Sequence, residues 1–454
     1  MAFSKSWLKA AWLLSVGQLL TSPHFAKADN PIVQTFYTSD PAPFVYNDRV
    51  YLFTGHDEDG PNDNYNMLDW RLFSSADMAN WQYHGSPLSL EAFSWASINA
   101  WAGQVIERND KFYWYVPVSN DDWAFSIGVA VADNITGPYV DAIGEALVPG
   151  SEIDPTVFID DDGQAYLYWG NPGLFYVKLN EDMISYSGEV VEVELTEEGF
   201  GSRDDPETPT MYQEGPWLYK RGDLYYMIYA AKCCPENIQY STGPSATGPW
   251  TYGGVIMDSA GTSGTNHVGI VEYKDTPYFF YHNGALPGGG SYTRSVCLES
   301  FEYNPDGTFP TLKMTEEGPA QIGALDPYVR QEAETIAWSE GLKTIDGEAG
   351  VIFVGKINDG DFIKVKGVAF KDGATKFSAS VASEVNGGSI ELHLGAVDGT
   401  VIGTCAVEIT GGWEKWKTVS CPVEVAADTT DDLYFKFLGD SADDLFNVDW
   451  WQFE

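Results

Sequence analysis

Short stretches of alternating apolar and polar residues run through most of the chain, with little between them that has a helical period. The segment DPTVFIDDDGQAYLYWG, residues 154–170, is typical: an apolar run, a turn at Asp162-Gly163, and a second run in which Tyr166 and Tyr168 alternate with other residues. This pattern predicts two antiparallel strands joined by a tight turn. Asp154 then stands at the start of the first strand.

The same hairpin pattern recurs along the first two thirds of the chain. When the turns are held in register, the first positions of the copies are Asp40, Ala102, Asp154, Glu214 and His267. The steps between these positions are 52 to 62 residues, the length of a four-stranded unit. The pattern therefore predicts an all-β fold with a five-bladed β-propeller.

The repeat places acidic residues at equivalent positions. The first strand of each propeller blade lines the central axis, so Asp40, Asp154 and Glu214 are expected to share one pocket. Like charges gathered in this way raise one another's pKa, which is costly unless the groups do chemistry or bind a cation. The alternative is that each Asp-Pro pair only forms a turn.

The character of the chain changes after the segment EEGPAQIGALDP, which is typical of a linker. From Gln331 onward, short alternating strands are separated by Gly-rich turns, a pattern that predicts a β-sandwich of the jelly-roll kind. We expect a catalytic propeller over residues 29–325 and a binding module over 326–454.

The first 28 residues have the order of a secretory signal peptide. Lysines come first, an apolar stretch follows around residues 11–20, and Ala26-Lys27-Ala28 forms an A-x-A cleavage site. The apolar stretch is too short to cross a bilayer. We therefore expect a secreted, soluble protein that begins near Asp29.

Acidic residues dominate the charge. Lys and Arg total 25 against 66 Asp and Glu, which gives a formal net charge of −41. This balance argues against nucleic acid or an anionic membrane as a partner, whereas a neutral polysaccharide is compatible with it.

The five cysteines include two pairs of interest. Cys405 and Cys421 flank a short apolar hairpin, so a disulfide between them is expected in an exported protein. The neighbours Cys233 and Cys234 suggest no function, and a structural role is the default.

The motifs resemble those of known families. Residues 30 to 325 resemble glycoside hydrolase family 43 through TSDPAPFVYND, SEIDPTVFIDDDG, YQEGPWLYK and TNHVGIVEYKDTPYFFYHN, and SWASINAWAGQVI resembles the arabinoxylan arabinofuranohydrolases within it. From Gln331 to Glu454 the chain is similar to a family 6 carbohydrate-binding module, through NDGDFIKVKGV, TGGWEKWKTVSC and LFNVDWWQFE.

The resemblance implies roles for the three acids. Asp40 would be the general base, Glu214 the general acid, and Asp154 the residue that tunes pKa and orients. Inverting hydrolysis needs a carboxylate that activates water and a protonated acid across the scissile bond, about 6.5 to 9.5 Å away. An ionised Asp154 would help Glu214 to keep its proton by disfavouring a second negative charge.

The implied activity is the removal of α-L-arabinofuranosyl side chains from arabinoxylan or a related plant cell-wall polysaccharide. β-Xylosidase and endo-arabinanase activities stay open, because members of the family share the acids and differ in their loops. A carbohydrate-binding protein that does not cut its ligand is the alternative from another class.

Other residues of the propeller are candidates for substrate binding. Arg294 matches an arginine that reaches the substrate pocket in the family, and a surface or ion-pair arginine is the alternative. Trp95 and Trp101 lie in a loop between the first two repeats, and Trp101 is the better candidate for stacking on a sugar ring. High aromatic content means that many such residues belong to the core.

Calcium is the expected inorganic ligand, and no organic cofactor is expected. By resemblance His267 lies near the axis, where many members hold a calcium ion through a histidine and waters, although a hydrogen-bonded core histidine is the alternative. Glu332, Glu334 and Asp449 match a structural calcium site in the C-terminal module, since calcium takes hard oxygen ligands. The alternative there is ordinary surface acids.

In the C-terminal module, Trp413 and Asn447 match the tryptophan and asparagine that hold sugars in the family. Many members carry an aromatic residue where this chain has Lys356. Weak binding, binding at another face, or support of the propeller are therefore all open. The protein is expected to be a monomer.

Overall fold

A computed structural model describes residues 29–60, 63–120 and 124–454 of the chain. The predicted signal peptide, residues 1–28, lies outside the described residues. Between residues 37 and 300 of the described chain, five antiparallel sheets follow one another. The first two sheets contain β1 (Tyr37–Tyr46), β2 (Arg49–Asp57), β3 (Asp69–Ser75), β4 (Trp81–Tyr83), β5 (Leu88–Ser89), β6 (Gln104–Arg108), β7 (Lys111–Ser119), β8 (Phe125–Ala132) and β9 (Val140–Asp141).

The other three sheets of this region have the same antiparallel order. Their strands are β10 (Thr156–Ile159), β11 (Ala165–Trp169), β12 (Phe175–Leu179), β13 (Tyr186–Glu192), β14 (Tyr212–Arg221), β15 (Leu224–Ala231), β16 (Asn237–Gly243), β17 (Thr251–Met257), β18 (Gly269–Tyr273), β19 (Thr276–Asn283) and β20 (Ser295–Ser300).

Tight turns set the register of the repeated hairpins. In three of them both turn residues have positive φ: Asn47 and Asp48, Asn109 and Asp110, Lys274 and Asp275. This is the type I′ geometry, whose twist matches that of the flanking strands. The turns used for the sequence alignment therefore also determine which residues face the axis.

The first strands of neighbouring sheets pack against one another. β1 packs against β6, β6 against β10 and β10 against β14, and β1 also packs against β18, β19 and β20 of the last sheet. Large aromatic side chains fill the space between sheets. Trp70 and Trp114 are at most 1% exposed and lie 5.8 Å apart between the first two sheets.

The C-terminal strands form a β-sandwich of two antiparallel sheets. The strands of this region are β21 (Gln331–Glu332), β22 (Thr335–Ile336), β23 (Trp338–Glu340), β24 (Lys343–Asp346), β25 (Ile352–Gly355), β26 (Phe362–Phe370), β27 (Ala374–Ala382), β28 (Gly388–Leu394), β29 (Thr400–Val407), β30 (Lys417–Val425), β31 (Thr429–Leu438) and β32 (Asn447–Phe453), and all of them except β22 belong to the two sheets. One sheet has the order β24-β25-β32-β27-β30, with β21 beside β32. The other has the order β23-β26-β31-β28-β29.

A disulfide joins the two layers of the sandwich. Cys405 on β29 and Cys421 on β30 are bonded with an S–S distance of 1.99 Å. Since β29 and β30 belong to different sheets, the bond ties one layer to the other across the core.

The sandwich shares a sheet with the propeller. β22 pairs with β4, so a strand from the C-terminal domain extends the first propeller sheet. The side chain of Asn80 and the backbone of Lys366 exchange two hydrogen bonds of 3.0 and 2.8 Å. Asp29 lies between Lys364 and Lys366, with N···O distances of 2.7 and 3.3 Å. The two domains therefore meet over backbone and charged contacts.

The predicted fold classes, a propeller followed by a β-sandwich, are confirmed. The domain boundary at residues 325 and 326 stays a prediction; Leu325 already bridges to Val368 of the sandwich. The helices described are the single turn α1 (Glu197–Phe200) and two 3₁₀ turns, Leu90–Ala92 and Glu348–Gly350. None of the described helices has the length and apolar character needed to cross a membrane.

Candidate active site

The five repeat-equivalent residues meet in one pocket of the propeller. Asp40, Ala102, Asp154, Glu214 and His267 all line a cavity of about 280 Å³. Each comes from the start of a different inner strand or from the residues just before it. The structure thus brings together the positions that the hairpin alignment made equivalent.

Local backbone geometry aims the two aspartates at the cavity. Asp40 and Asp154 both have positive φ, 49° and 62°. Aspartate is one of the few residues other than glycine found in this left-handed region with any frequency. The register of β1 also shifts between Ser39 and Ala42, and such bulges redirect side chains next to active sites.

Glu214 is aimed by a similar irregularity. The pairing of β14 with β15 shifts on both sides of Glu214. The next residue, Gly215, has φ 59°, and a Cβ there would lie 3.1 Å from Nδ1 of His267. A side chain at this position would be both strained and crowded, so the close approach of Glu214 to the axis depends on glycine.

Two hydrogen-bond donors and two histidine rings lie against the Asp40 carboxylate. Arg294 Nη1 donates to Oδ1 at 3.1 Å, and the Ser39 hydroxyl donates to Oδ2 at 2.8 Å. The Nδ1 atoms of His267 and His282 lie 3.7 and 3.5 Å from Oδ1. Burial raises the pKa of Asp40, but Arg294, the two histidines and the hydroxyl together lower it below its usual value. Asp40 is therefore ionised near neutral pH, as a general base must be.

Glu214 has the opposite tendency. Burial raises its pKa to about 7, and the charge of Asp40 adds to this effect, while the nearby Glu236 carboxyl group, the hydrogen bond from Asn171 and the charge of Arg294 oppose it. Asn171 Nδ2 donates to Glu214 Oε2. Glu214 thus retains a substantial protonated fraction near neutral pH, as a general acid must.

Asp154 differs from the sequence-based expectation. Burial, followed by the charges of Glu214 and Asp40, raises the pKa of Asp154 well above its usual value. The Gly215 N–H donates to Asp154 Oδ2 at 3.0 Å and favours the ionised form. Burial is the largest cause of the raised pKa of Glu214. The expected help from an ionised Asp154 is therefore not what chiefly keeps the Glu214 proton in place.

Arg294 lines the pocket, as the family resemblance implies, and it is also ion-paired, as the alternative interpretation expected. Its Nε and Nη2 atoms donate to the two carboxylate oxygens of Asp57 at 3.0 and 2.9 Å. Nη1 reaches Asp40, and the guanidinium carbon lies 4.8 Å from the centroid of the Tyr65 ring. The sequence analysis missed Asp57, because this residue lies at the end of β2 in an acidic run that is typical of a solvent-exposed surface.

The two tryptophans of the loop between the first two sheets have different surroundings. Trp101 lines the pocket, where its ring packs 4.7 Å from Phe125 and Nε1 donates to the Tyr65 carbonyl at 3.3 Å. Trp95 packs on a neighbouring phenylalanine, and its Nε1 donates to Asp141 at 2.8 Å. Trp101 is therefore placed to meet a ligand, as the sequence comparison of the two suggested.

Several pocket residues had no sequence signal. Cys233 and Cys234 form a disulfide between neighbours that lines the cavity. Asn171, Gln213 and Asn266 contribute amide groups to the same wall. Asn171 lies in a loop outside the repeat, and Gln213 and Asn266 each lie one residue before an aligned position, so the hairpin alignment did not single them out.

The sugar-binding candidates of the C-terminal module are adjacent. Asn447 Nδ2 donates to the backbone carbonyl of Trp413 at 2.7 Å. Lys356, which stands where many family members have an aromatic residue, pairs with Asp444 at 3.1 Å. Sugar contact at Trp413 and Asn447 stays a prediction.

The acids matched to a calcium site lie at the domain junction. Glu334 is 4% exposed, and its Oε2 has no hydrogen-bond partner among the described residues. Burial, then the charges of Glu332 and Asp449, raises the pKa of Glu334 well above its usual value. Arg330 already binds both oxygens of Glu332, at 2.9 and 2.8 Å. The unpaired buried oxygen nevertheless fits a cation, which would supply the missing partner.

Calcium binding at His267 stays a prediction. Its Nδ1 faces Asp40 Oδ1, and that carboxylate is already neutralised by Arg294. Burial lowers the pKa of His267, so the ring is neutral near pH 7. Calcium takes six to eight oxygen ligands. The residues that contact His267 do not by themselves supply such a set.

The chain matches two family models and is similar to known proteins. Residues 28–309 match the family model described as "Glycosyl hydrolases family 43", and residues 332–454 match "Carbohydrate binding module (family 6)". An arabinoxylan arabinofuranohydrolase of Bacillus subtilis (strain 168) is 33% identical over 93% of this chain and 92% of its own length. One from Paenibacillus polymyxa is 31% identical over 93% of this chain and 74% of its own.

A solved structure is similar over both domains. It is described as a glycoside hydrolase family 43 arabinoxylan arabinofuranohydrolase from Bacillus subtilis in complex with cellotetraose. It aligns with a TM-score of 0.81 and 31% identity, covering 94% of this chain and 98% of that chain.

Proposed function

The chain belongs to glycosyl hydrolase family 43, and from this premise we propose that it removes α-L-arabinofuranosyl side chains from arabinoxylan by an inverting mechanism. The observation that carries the proposal is the pairing of two carboxyl groups with opposite pKa shifts in one pocket. The pKa of Asp40 is lowered, and the pKa of Glu214 is raised to about 7. One base and one acid are what single-step hydrolysis of a glycosidic bond requires.

The chemistry follows from these two groups. Asp40 takes a proton from a water molecule, whose oxygen attacks the anomeric carbon of the arabinose. The bond between that carbon and the xylan oxygen breaks, and Glu214 gives its proton to the departing oxygen. Arg294, itself anchored by Asp57, keeps Asp40 ionised and in place for the attack. Because water attacks opposite the leaving group, the anomeric configuration inverts.

The size of the pocket supports action on a single sugar unit. About 280 Å³ is just below the roughly 300 to 1,000 Å³ found for small-molecule sites. A side-chain arabinose fits such a space better than several units of a main chain. Relatives that span both domains are arabinoxylan arabinofuranohydrolases, which favours this substrate over the β-xylosidase and endo-arabinanase alternatives.

Product analysis on three substrates tests the proposal. Purified full-length protein is incubated with arabinoxylan, linear arabinan and xylo-oligosaccharides, and the released sugars are identified. We expect free arabinose from arabinoxylan as the main product. Release of xylose from xylo-oligosaccharides would instead support a β-xylosidase, and release of arabino-oligosaccharides from linear arabinan an endo-arabinanase. Binding without any product would support a non-catalytic sugar-binding protein.

We also propose that the C-terminal domain holds a calcium ion beside Glu334. Calcium that binds only the folded state stabilises it by about 2.7 kcal/mol at a hundred times its dissociation constant. The melting temperature of the full chain should therefore rise with added calcium, and the Glu334→Gln variant should lose that rise. An equal calcium response in the wild type and this variant would contradict the site, as would no response in either.

A further inference from the structure

A further buried carboxyl group lies beside the active site, and neither the repeat nor the mechanism above uses it. Glu236 follows the Cys233–Cys234 disulfide and Pro235 and immediately precedes β16. It is 1% exposed. Its backbone N–H donates to the carbonyl of Gly264 at 3.0 Å, which fixes the start of the strand.

Only one oxygen of this carboxyl group is satisfied. Glu236 Oε2 accepts the backbone N–H of Asn266 at 3.0 Å. Oε1 is buried and has no hydrogen-bond partner within the part of the chain that the structure describes. A buried acceptor without a donor destabilises a fold. If Oε1 is protonated, it is instead a hydrogen-bond donor and requires an acceptor. The carboxyl group therefore has a free hydrogen-bonding site and a fixed orientation.

The acceptor that the structure offers is Glu214. Glu214 pairs with Ala230 of β15, and the next residue, Ala231, pairs with Asn237 at the start of β16, so Glu214 and Glu236 lie at the same end of the fourth sheet. The two carboxyl groups are close enough to alter one another's pKa, that of Glu214 downward and that of Glu236 upward. Burial, followed by the charge of Glu214, raises the pKa of Glu236 to about 10. Of the two groups, Glu236 holds its proton more tightly.

We propose that Glu236 keeps its proton near neutral pH and donates it from Oε1 in a hydrogen bond to the carboxyl group of Glu214. Glu236 is then a positioning residue, because it acts on the reaction through the general acid and not on the substrate. During the reaction Glu214 gives its own proton to the departing oxygen and becomes a carboxylate. Glu236 retains its proton throughout and stabilises that carboxylate by charge-assisted hydrogen bonding.

Other ionisable groups also face this pair. Asp154 adds to the raised pKa of Glu236, Asp40 raises the pKa of Glu214, and Arg294 lowers it. His267, from the neighbouring sheet, is neutral because burial lowers its pKa. The two cysteines form a disulfide and do not titrate. These groups are unchanged in variants of Glu236, so a shift in the pH profile reports the contact between the two glutamates.

The sign of the expected shift follows from the direction of the hydrogen bond. A donor to the Glu214 carboxylate favours the ionised form and lowers its pKa. The wild-type kcat/KM on arabinoxylan should fall above about pH 7, as Glu214 loses its proton. Removing the donor should move this alkaline limb to higher pH and lower kcat, because the carboxylate formed in the reaction is less stabilised.

Two variants of the full-length protein test the inference. In Glu236→Gln, the amide oxygen can still accept from Asn266 and the amide nitrogen can still donate to Glu214. In Glu236→Met, a side chain of similar length has no donor. We expect the glutamine variant to keep the alkaline limb within about half a pH unit of wild type, and the methionine variant to shift it upward by about one unit with about 10-fold lower kcat and little change in KM.

An activated substrate separates this effect from damage to the fold. An aryl arabinofuranoside with a weakly basic leaving group needs little protonation, so Glu236→Met should lose much less activity on it than on arabinoxylan. Equal losses on both substrates would contradict a role through the acid. A shift of the limb to lower pH in Glu236→Gln would also overturn the proposal, because it would mean that Glu236 is ionised in the wild type.

This inference rests on the proposed function, in which Glu214 is the general acid. Different results would contradict the role of Glu214 and the role of Glu236. If Glu214→Gln stays active on arabinoxylan, the assignment of the acid is wrong. If Glu214→Gln is inactive but Glu236→Met leaves the alkaline limb and kcat unchanged, only the role of Glu236 is wrong.

Discussion

Replacing Glu214 with glutamine is expected to lower kcat on arabinoxylan by about 10³-fold or more, with KM changed only a few-fold. The amide has nearly the same shape and can keep a hydrogen bond with Asn171, so the pocket should be preserved. It has no proton to give, however, and the departing xylose oxygen is a strong base. The steady-state rate of arabinose release measures this loss directly.

Two comparisons isolate the missing proton in Glu214→Gln. On an aryl arabinofuranoside the loss should be much smaller, because the leaving group departs without protonation. Glu207→Gln, the same change at an exposed site outside the pocket, should retain wild-type activity. Near-normal turnover of arabinoxylan by Glu214→Gln would remove Glu214 from the mechanism.

Asp40→Asn should be as damaging, about 10³-fold or more in kcat, but with a different substrate dependence. Asparagine cannot take a proton from water, and water must attack whichever leaving group departs. The loss should therefore be similar on arabinoxylan and on the aryl arabinofuranoside. The substitution also removes one of the two ion pairs of Arg294 and leaves the pair with Asp57, so a thermal melt should accompany the kinetics.

The control for Asp40→Asn is Asp204→Asn, at an exposed position. It should leave both activity and melting temperature unchanged. If Asp40→Asn recovered activity on the activated substrate, Asp40 would be acting on the leaving group and the assignments of base and acid would have to be exchanged.

The axis of the propeller was predictable because the repeat carries geometric information. Positions that are equivalent in five hairpins must approach the same axis, and Asp40, Asp154 and Glu214 do line one cavity. The turns that set the alignment, such as Asn47-Asp48, are read directly from residue type. The fold class and the grouping of these three acids could therefore be predicted from the repeat.

The groups that tune the acids were not predictable in the same way. Asp57 contacts Arg294 across 237 positions of sequence, and Glu236 reaches Asn266 from a loop outside the repeat. Their roles depend on burial and on partners from other sheets, which the local pattern does not encode. For the same reason, the largest cause of the raised pKa of Glu214 is burial, a property that residue types alone do not give.

The contact between the domains could not be predicted from the sequence either. A linker pattern predicted two units, yet β22 of the C-terminal domain pairs with β4 of the propeller. Strand pairing of this kind depends on complementary edges in three dimensions, and each edge by itself looks like an ordinary short strand.

The central claim is that Asp40 activates a water molecule while Glu214 protonates the departing xylan oxygen. Time-resolved proton NMR of arabinoxylan hydrolysis tests it most directly, because it identifies the anomer of arabinose before the free sugar equilibrates. A single displacement by water predicts that β-L-arabinofuranose appears first. Initial release of the α anomer would contradict the account, since it requires two displacements and a covalent intermediate on the enzyme.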